Sequence, residues 1–453
     1  MQNQRKKRYS PKGMQHVLYN VIRISVALVV ALGLAAHAMA AETPATPAPA
    51  APIPATPTLT IEPPAATAKP EAEAAPASWP PGLMMDGLKA IGIGKGMESL
   101  GIRTWGFVEG GFTGRLSGGQ HPLQMRGFDA RRPNNIRLNQ LRLMIDRPYD
   151  SAKPVDVGFR VDGLFGGDAL LTHSPGLFPR AGHGQSDAWA DLTQFYTQTW
   201  IKTGAESGLE ITAGKFVTPL GAEVIDATGN ALYSRGILFN YAIPFTHTGV
   251  KVNYVANSNL SFYVAAVEGW EVFNDNNAAW STIAGGAYNS TEQIGGHART
   301  TLAVNVITGP EQAENVSNYR TVADFLLTHW WTENFSQTVN FDYGTEQGVT
   351  ANGGAGHWYG VAHYLTYVCN DYVSPTWRVE WFRDPDGVRT GTAANYYENT
   401  FGVAITPMPK HPFWKNLLVR PELRWDFSDR PAFGGNGDRF NQLTAGFDII
   451  FKF

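Results

Sequence analysis

The sequence predicts an all-β protein: an antiparallel transmembrane β-barrel of about sixteen strands. Three observations carry that reading. Apolar and polar residues alternate with period two from Ile102 onward. The polar face is charged in strand after strand, while the apolar face carries Trp, Tyr and Phe near strand ends, as membrane-interface girdles do. Connections alternate between brief turns and long loops rich in Gly, Asn and Asp.

The alternation is clearest in "VDVGFRVDGLF", where Val155, Val157, Phe159 and Val161 interleave with Asp156, Gly158, Arg160 and Asp162. The run before it sets Leu141, Leu143 and Ile145 against Gln140, Arg142 and Asp146. The last run sets Leu443, Ala445, Phe447, Ile449, Phe451 and Phe453 against Gln442, Thr444, Asp448 and Lys452. Trp105, Trp377, Trp381, Trp414 and Trp425 are the expected girdle aromatics.

Candidate strands begin near Ile102, Leu138, Val155, Asp191, Leu209, Thr246, Leu260, Trp280, Thr300, Tyr319, Phe335, Trp358, Trp377, Thr400, Leu417 and Gln442. The segment at 280–288 alternates least. "RPYDSAKP", "TGAESG", "ANSN", "WTEN" and "NDYVSP" are brief turns, expected on the periplasmic side. Long loops at 114–136, 166–187, 217–244, 345–356 and 384–396 are expected outside. An even strand number puts both termini in the periplasm. About 350 residues over sixteen strands is roughly 22 per strand, room for a tilted span and its connection. A barrel of that size is wide enough to leave an aqueous channel.

Composition agrees with this placement. The chain has 453 residues, and no apolar run beyond residue 40 is long enough for a spanning helix, so a membrane-spanning form must be a closed sheet. Residues 1–40 read as a signal peptide: Arg5, Lys6, Lys7, Arg8, Lys12 and Arg23 precede an apolar run, and Ala38-Met39-Ala40 fits a cleavage site. Residues 41–82 read as a Pro/Ala-rich disordered periplasmic spacer. Residues 83–101 are weakly amphipathic, a short lead-in helix or plug at the periplasmic mouth, and residues 102–453 are the barrel. Removing the leader's six positive charges leaves 30 Lys+Arg against 39 Asp+Glu, a net charge of −9, which disfavours nucleic acid as a partner. Cys369 is the only thiol, so no disulfide forms within the chain.

A pore selects by its width and by the charges along its wall. The expected pore-lining set is Arg142, Asp146, Arg160, Asp162, Arg378, Glu380, Arg420, Glu422, Arg424 and Asp426, with both signs interleaved. The competing reading is that these pairs merely satisfy each other as salt-bridge ladders on the wall. The loop 217–244 is too apolar to float in water and is expected to fold inward. Its charged members Glu223, Asp226 and Arg235 would meet the wall arginines in a constriction. An external cap over the mouth is the competing geometry.

The sequence is similar to the OmpL-like β-barrel porins of Gram-negative bacteria (the β-barrel porin-2 type). The matching blocks are "GIRTWGFVEGGFTG" at 101–114, "DLTQFYTQTW" at 191–200, "AGKFVTPLGAEV" at 213–224, "NALYSRGILFNYAIPFTHTGV" at 230–250 and "VEWFRDPDGVRTG" at 379–391, with the aromatic C-terminus. The resemblance runs from about residue 83 to Phe453. It implies an outer-membrane barrel in contact with lipid, acting as a pore. It also implies that Phe453, as a terminal aromatic, is the signal read by the barrel-assembly machinery. The family supplies no agreed binding residues.

No HExxH, Walker loop, GxSxG or Cys/His metal spacing is present, so no enzyme, metal or cofactor is expected. His247, His329 and His363 fall in separate strands, His363 being the one expected to face the lumen. Two functions remain. One is a porin passing small hydrophilic solutes. The other is an occluded structural or adhesive barrel acting through its outer loops. Trimers are common among barrels of this size, and no stretch here specifies a homotrimer.

Overall fold

In a computed structural model, which describes residues 82–117, 123–128, 133–177 and 189–453, sixteen antiparallel strands close into one barrel. The first eight are β1 (Arg103–Arg115), β2 (Ile136–Arg147), β3 (Val155–Gly166), β4 (Trp189–Lys202), β5 (Gly208–Val217), β6 (Thr246–Asn257), β7 (Leu260–Val267) and β8 (Ser281–Asn289). The second eight are β9 (Thr300–Pro310), β10 (Tyr319–Thr332), β11 (Phe335–Glu346), β12 (Gly356–Tyr367), β13 (Val373–Asp384), β14 (Ala394–Ile405), β15 (Leu417–Ser428) and β16 (Asn441–Lys452). Each strand pairs with its sequence neighbours, and β16 returns to β1. The expected signal peptide and the spacer up to residue 81 lie outside the described residues.

The alternation in the sequence becomes an inside-out protein. Leu143, Val157, Phe262, Val304, Phe401, Leu423 and Ile449 are exposed on the outer wall, while Arg142, Asp162, Arg378, Arg424 and Asp448 are buried on the inner one. Apolar surface around the whole circumference is stable against lipid, not water. Among the described residues no helix is long and apolar enough to cross a membrane.

The barrel closes through paired main-chain bonds. Gly106 N donates to Phe453 O, and Phe453 N donates to Gly106 O, both at 2.8 Å. A Cβ on Gly106 would lie 2.5 Å from Arg142 O and 2.7 Å from the Phe453 ring. Only glycine lets the terminal aromatic lie across β1. The start of β1 also carries two short helices, α1 (Leu83–Ala90) and α2 (Gly94–Ser99). They are tied down where Thr104 Oγ1 donates to Met84 Sδ and Arg147 Nε donates to Leu100 O.

Two β-bulges turn extra polar residues into the barrel. The register passes from Glu109↔Gln140 to Gly110↔Leu138, so Asn139 is extra. Thr193 is extra in the same way opposite Asp162 and Gly163. A bulge re-aims side chains, and Asn139, Gln140, Thr193 and Gln194 are all buried on the inner side.

Two sequence expectations are corrected. Trp105 is not a girdle residue: it pairs with Met144 on the inner face, is 8% exposed, and lies under Arg103 and Arg160. His363 faces outward, in register with Val339 and Val379, and its Nε2 contacts Gln337.

Candidate channel and its inserted loop

All ten charged residues expected along the wall lie on the inner face, and nine of them are buried; Arg160, close to the short-turn end, is the partly exposed one. Each strand delivers its charges at every second position. The antiparallel register then sets acid beside base. Arg142 bonds Asp162 and Thr193. Asp146 holds Arg103 at 2.7 Å. Arg378 bonds Glu398 at 3.0 Å, Arg420 bonds Asp448 at 2.5 Å, and Arg424 bonds Asp426 at 2.8 Å. Taken alone, burying such pairs is a weak route to stability, because desolvation offsets most of the attraction.

The connection between β5 and β6 covers those on β13 and β15, where Arg126 of the β1–β2 connection also reaches Glu422 at 3.6 Å. None of residues 218–245 is exposed. The segment enters the barrel and binds four parts of its wall. At its start, Gly221 N donates to Asp324 and Ala222 N to Asn340, while Asn305 donates to Pro219 O at 3.1 Å. Its middle meets the β2 bulge, where Gln140 donates to Ile225 O at 2.7 Å and Asn139 donates to the Tyr233 hydroxyl at 3.2 Å. Its second half lies on β13–β15. Ser234 N donates to Glu422, Ile237 N and Leu238 N donate to Glu380, and Arg424 donates to Arg235 O at 2.6 Å. At its end Trp358 Nε1 donates to Ala242 O at 3.1 Å. The apolar members Leu220, Ile225, Ile237, Leu238, Phe239 and Ile243 join wall residues Phe382, Tyr396 and Trp358 in one cluster.

The three loop charges have different surroundings. Glu223 is brought onto a wall arginine, accepting from Arg378 at 2.5 Å, and also from Gly236 N at 2.6 Å. Asp226 is not; it caps a single turn by accepting from Thr228 N at 2.8 Å. Arg235 turns back on its own loop, donating to the carbonyls of Val224, Ile225 and Tyr233, with Phe128 under its guanidinium at 5.7 Å. Below the loop a cavity of about 60 Å³ is lined by Thr228, Asn230, Thr406, Leu418 and Lys452, room for a few waters.

At the long-loop end, cations and aromatics alternate. Arg320 and Arg389 lie 4.7 Å and 5.3 Å from the Trp270 ring, and Arg389 also lies 5.1 Å from the Trp358 ring. Arg389 Nε donates to Tyr241 O at 2.7 Å, so this stack touches the inserted loop. Burial and the neighbouring Arg320 push the Arg389 guanidinium down to about 10. Next to Trp270, Glu271 accepts from Phe245 N at 3.1 Å, and burial pushes its carboxyl up to about 7.

Sequence reasoning did not single out Glu398, Asp324, Asn340 or Asn139, and it placed Gln140 on the polar face without a role; all five hold this arrangement together. The signal for Glu398 is masked because Ala394 and Tyr396, its inward neighbours on β14, are apolar. The histidines do not converge: His247 contacts Gly269 O and Thr218, and His329 contacts Thr300. Among the described residues no group of His, Cys, Asp and Glu is arranged to hold a metal.

Comparison with known proteins agrees with the geometry. Residues 101–453 match the family described as "Putative beta-barrel porin-2, OmpL-like". Among solved structures, the outer membrane channel DcaP of Acinetobacter baumannii is similar with a TM-score of 0.51 at 13% identity, covering 78% of this chain and 97% of that one. Salmonella typhi OmpF, in complex with daunomycin, gives a TM-score of 0.50 at 11% identity, with 78% and 97% covered. At such identities these two show a shared fold. No curated protein matches the chain in sequence.

Proposed function

The chain belongs to the OmpL-like β-barrel porin-2 family and is an outer-membrane β-barrel, and from that premise we propose that it is a channel for passive diffusion of small hydrophilic solutes. One observation carries the reading: the inner wall is lined with paired charges from β2 and β3 round to β13–β16. A permanently dry lumen gains nothing from such a lining, since apolar residues of similar volume fill it as well or better. Charges on a wall that is wetted in use set selectivity. In this reading the 218–245 segment is the constriction, with Glu223 and Arg378 at its charged contact. Both barrel termini lie on the short-turn rim, which is assigned to the periplasm, and the outer wall faces lipid.

A second reading has one observation in its favour. The inserted loop is bonded to the wall along its length, and none of it is exposed. That suits an occluded structural or adhesive barrel acting through its outer loops. Solute flux separates the two. Proteoliposomes holding the refolded chain should swell in small sugars and amino acids, and a salt gradient should give a measurable reversal potential. Sealed liposomes, with the barrel folded and inserted, would favour the occluded reading.

A further inference from the structure

We propose that the wall formed by β13 and β15 is a binding track for the main chain of short, extended peptides, and that the inserted loop occupies it as an internal ligand. This rests on the channel reading above and names its substrate class. The observation is which atoms of the loop the wall touches. Arg420 Nη1 donates to Ala227 O at 2.8 Å and to Asn230 O at 2.5 Å. Glu422 accepts from Ser234 N at 2.9 Å. Arg424 donates to Arg235 O at 2.6 Å. On β13, Arg378 donates to Ser234 O at 2.6 Å, and Glu380 accepts from Ile237 N at 2.5 Å and Leu238 N at 3.3 Å. Each of these bonds is to a peptide group; beside them, Arg378 and Arg424 bond the Ser234 hydroxyl at 3.2 Å and 3.3 Å, and Arg378 bonds the Glu223 carboxylate. The peptide-group bonds depend on a backbone, not on the loop's own side chains.

The order of the contacts matters as much as their kind. Along β15 the wall offers donor, acceptor and donor at Arg420, Glu422 and Arg424. The loop passes them in the same order at Asn230, Ser234 and Arg235, although it is bent here, its contacts falling four and one residues apart, and it turns into a short helix at Ile237. Residues two apart on a strand are about 6.6–6.8 Å apart. An extended peptide repeats its N–H and C=O groups on one side with the same period. The track therefore runs along the strand, inclined to the barrel axis, the route a permeating solute takes. Its arginines and glutamates are buried behind the loop. They also suit the two charged ends of a short peptide, ammonium at Glu380 or Glu422 and carboxylate at Arg420, by charge-assisted hydrogen bonds. A neutral sugar offers neither the period nor the end charges.

The test compares trialanine with maltotriose. The proteins are the full chain and a chain lacking residues 224–234, which uncovers Arg420, still paired with Asp448, and Glu422, still 3.6 Å from Arg126. In planar bilayers trialanine should interrupt the ion current of the shortened chain at least about tenfold more often than maltotriose, the equivalent of one charge-assisted bond. Glu422→Gln in the shortened chain should remove that preference. Calorimetric titration of detergent-folded protein reads the site without conduction. Trialanine should bind the shortened chain about tenfold or more tighter than the full chain, where the loop competes. Should the shortened chain fail to fold, the full chain carries the comparison, with trialanine binding, maltotriose not, and Glu422→Gln abolishing the difference. Current that flows while trialanine and maltotriose act alike overturns the peptide track and leaves the channel standing. Absence of current from either folded chain overturns the channel itself, whatever the titration shows.

Discussion

The guanidinium of Arg378 donates to the carboxylate of Glu223 at 2.5 Å, although 155 positions separate the two. The bond joins the wall to the inserted loop, and Glu398 holds the other side of the same arginine at 3.0 Å. Arg378 is therefore the shared counter-charge for two buried acids. Replacing it leaves Glu223 with only the Gly236 N–H and Glu398 with only the more distant Arg424, at 3.8 Å, as a counter-charge. Arg378→Met should destabilise the folded barrel by about 3–5 kcal/mol, measured by urea unfolding in detergent. Glu223→Gln should cost much less, since Arg378 keeps Glu398. Equal effects of the two changes would count against this arrangement.

The long-loop end should respond to pH through Glu271. Its carboxyl is raised from 4.5 to about 7, chiefly by burial. A raised acid favours the folded form while protonated in it. Its contribution is complete below the ordinary carboxylate range and is lost as pH rises through about 7. The folded barrel should therefore show an excess loss of stability to urea between about pH 5 and 8. Glu271→Gln should flatten that excess. An unchanged excess in the variant would assign the pH response elsewhere.

Trp358 anchors the far end of the loop. Its Nε1 donates to Ala242 O, and its ring packs flat on Gly344, where a Cβ would approach to 2.0 Å. Trp358→Phe removes the bond and keeps an aromatic ring, at a cost of about 1 kcal/mol. Gly344→Val should be far more damaging, because the ring has no room to retreat in a fully buried site. Thermal unfolding of the two variants checks the order.

Phe453 is bonded to Gly106 on both main-chain sides. Deleting it removes the last pair of the closing seam and the terminal aromatic. Membrane insertion in cells should fall sharply, while the conductance of whatever inserts should change little. Normal surface assembly of the deletion would contradict this role.

Much of the barrel is legible in the sequence because one physical rule acts at every strand: apolar residues face lipid, so period two persists. Even Ser281–Asn289 is a full barrel strand, with Gly285 and Gly286 paired to Asn305 and Val304. The rule fails where both faces are apolar or a strand carries an extra residue. Trp105 and Phe107 point inward from β1 while Phe112 meets Phe447 outside, so composition cannot tell the faces apart. The bulge at Asn139 turns two successive polar residues inward, which no alternation foretells. The apolar character of 217–244 points to an inward fold, but its partners are main-chain contacts between distant positions. That is why Asp226 and Arg235, read as partners of the wall arginines, bond within the loop instead.

In the proposed channel, residues 218–245 narrow a lumen that the barrel would otherwise leave open. The decisive comparison is single-channel conductance of the chain lacking residues 224–234 against that of the full chain in the same planar bilayer. A clearly larger conductance is expected for the shortened chain. A folded, inserted, shortened chain with unchanged conductance would contradict the constriction.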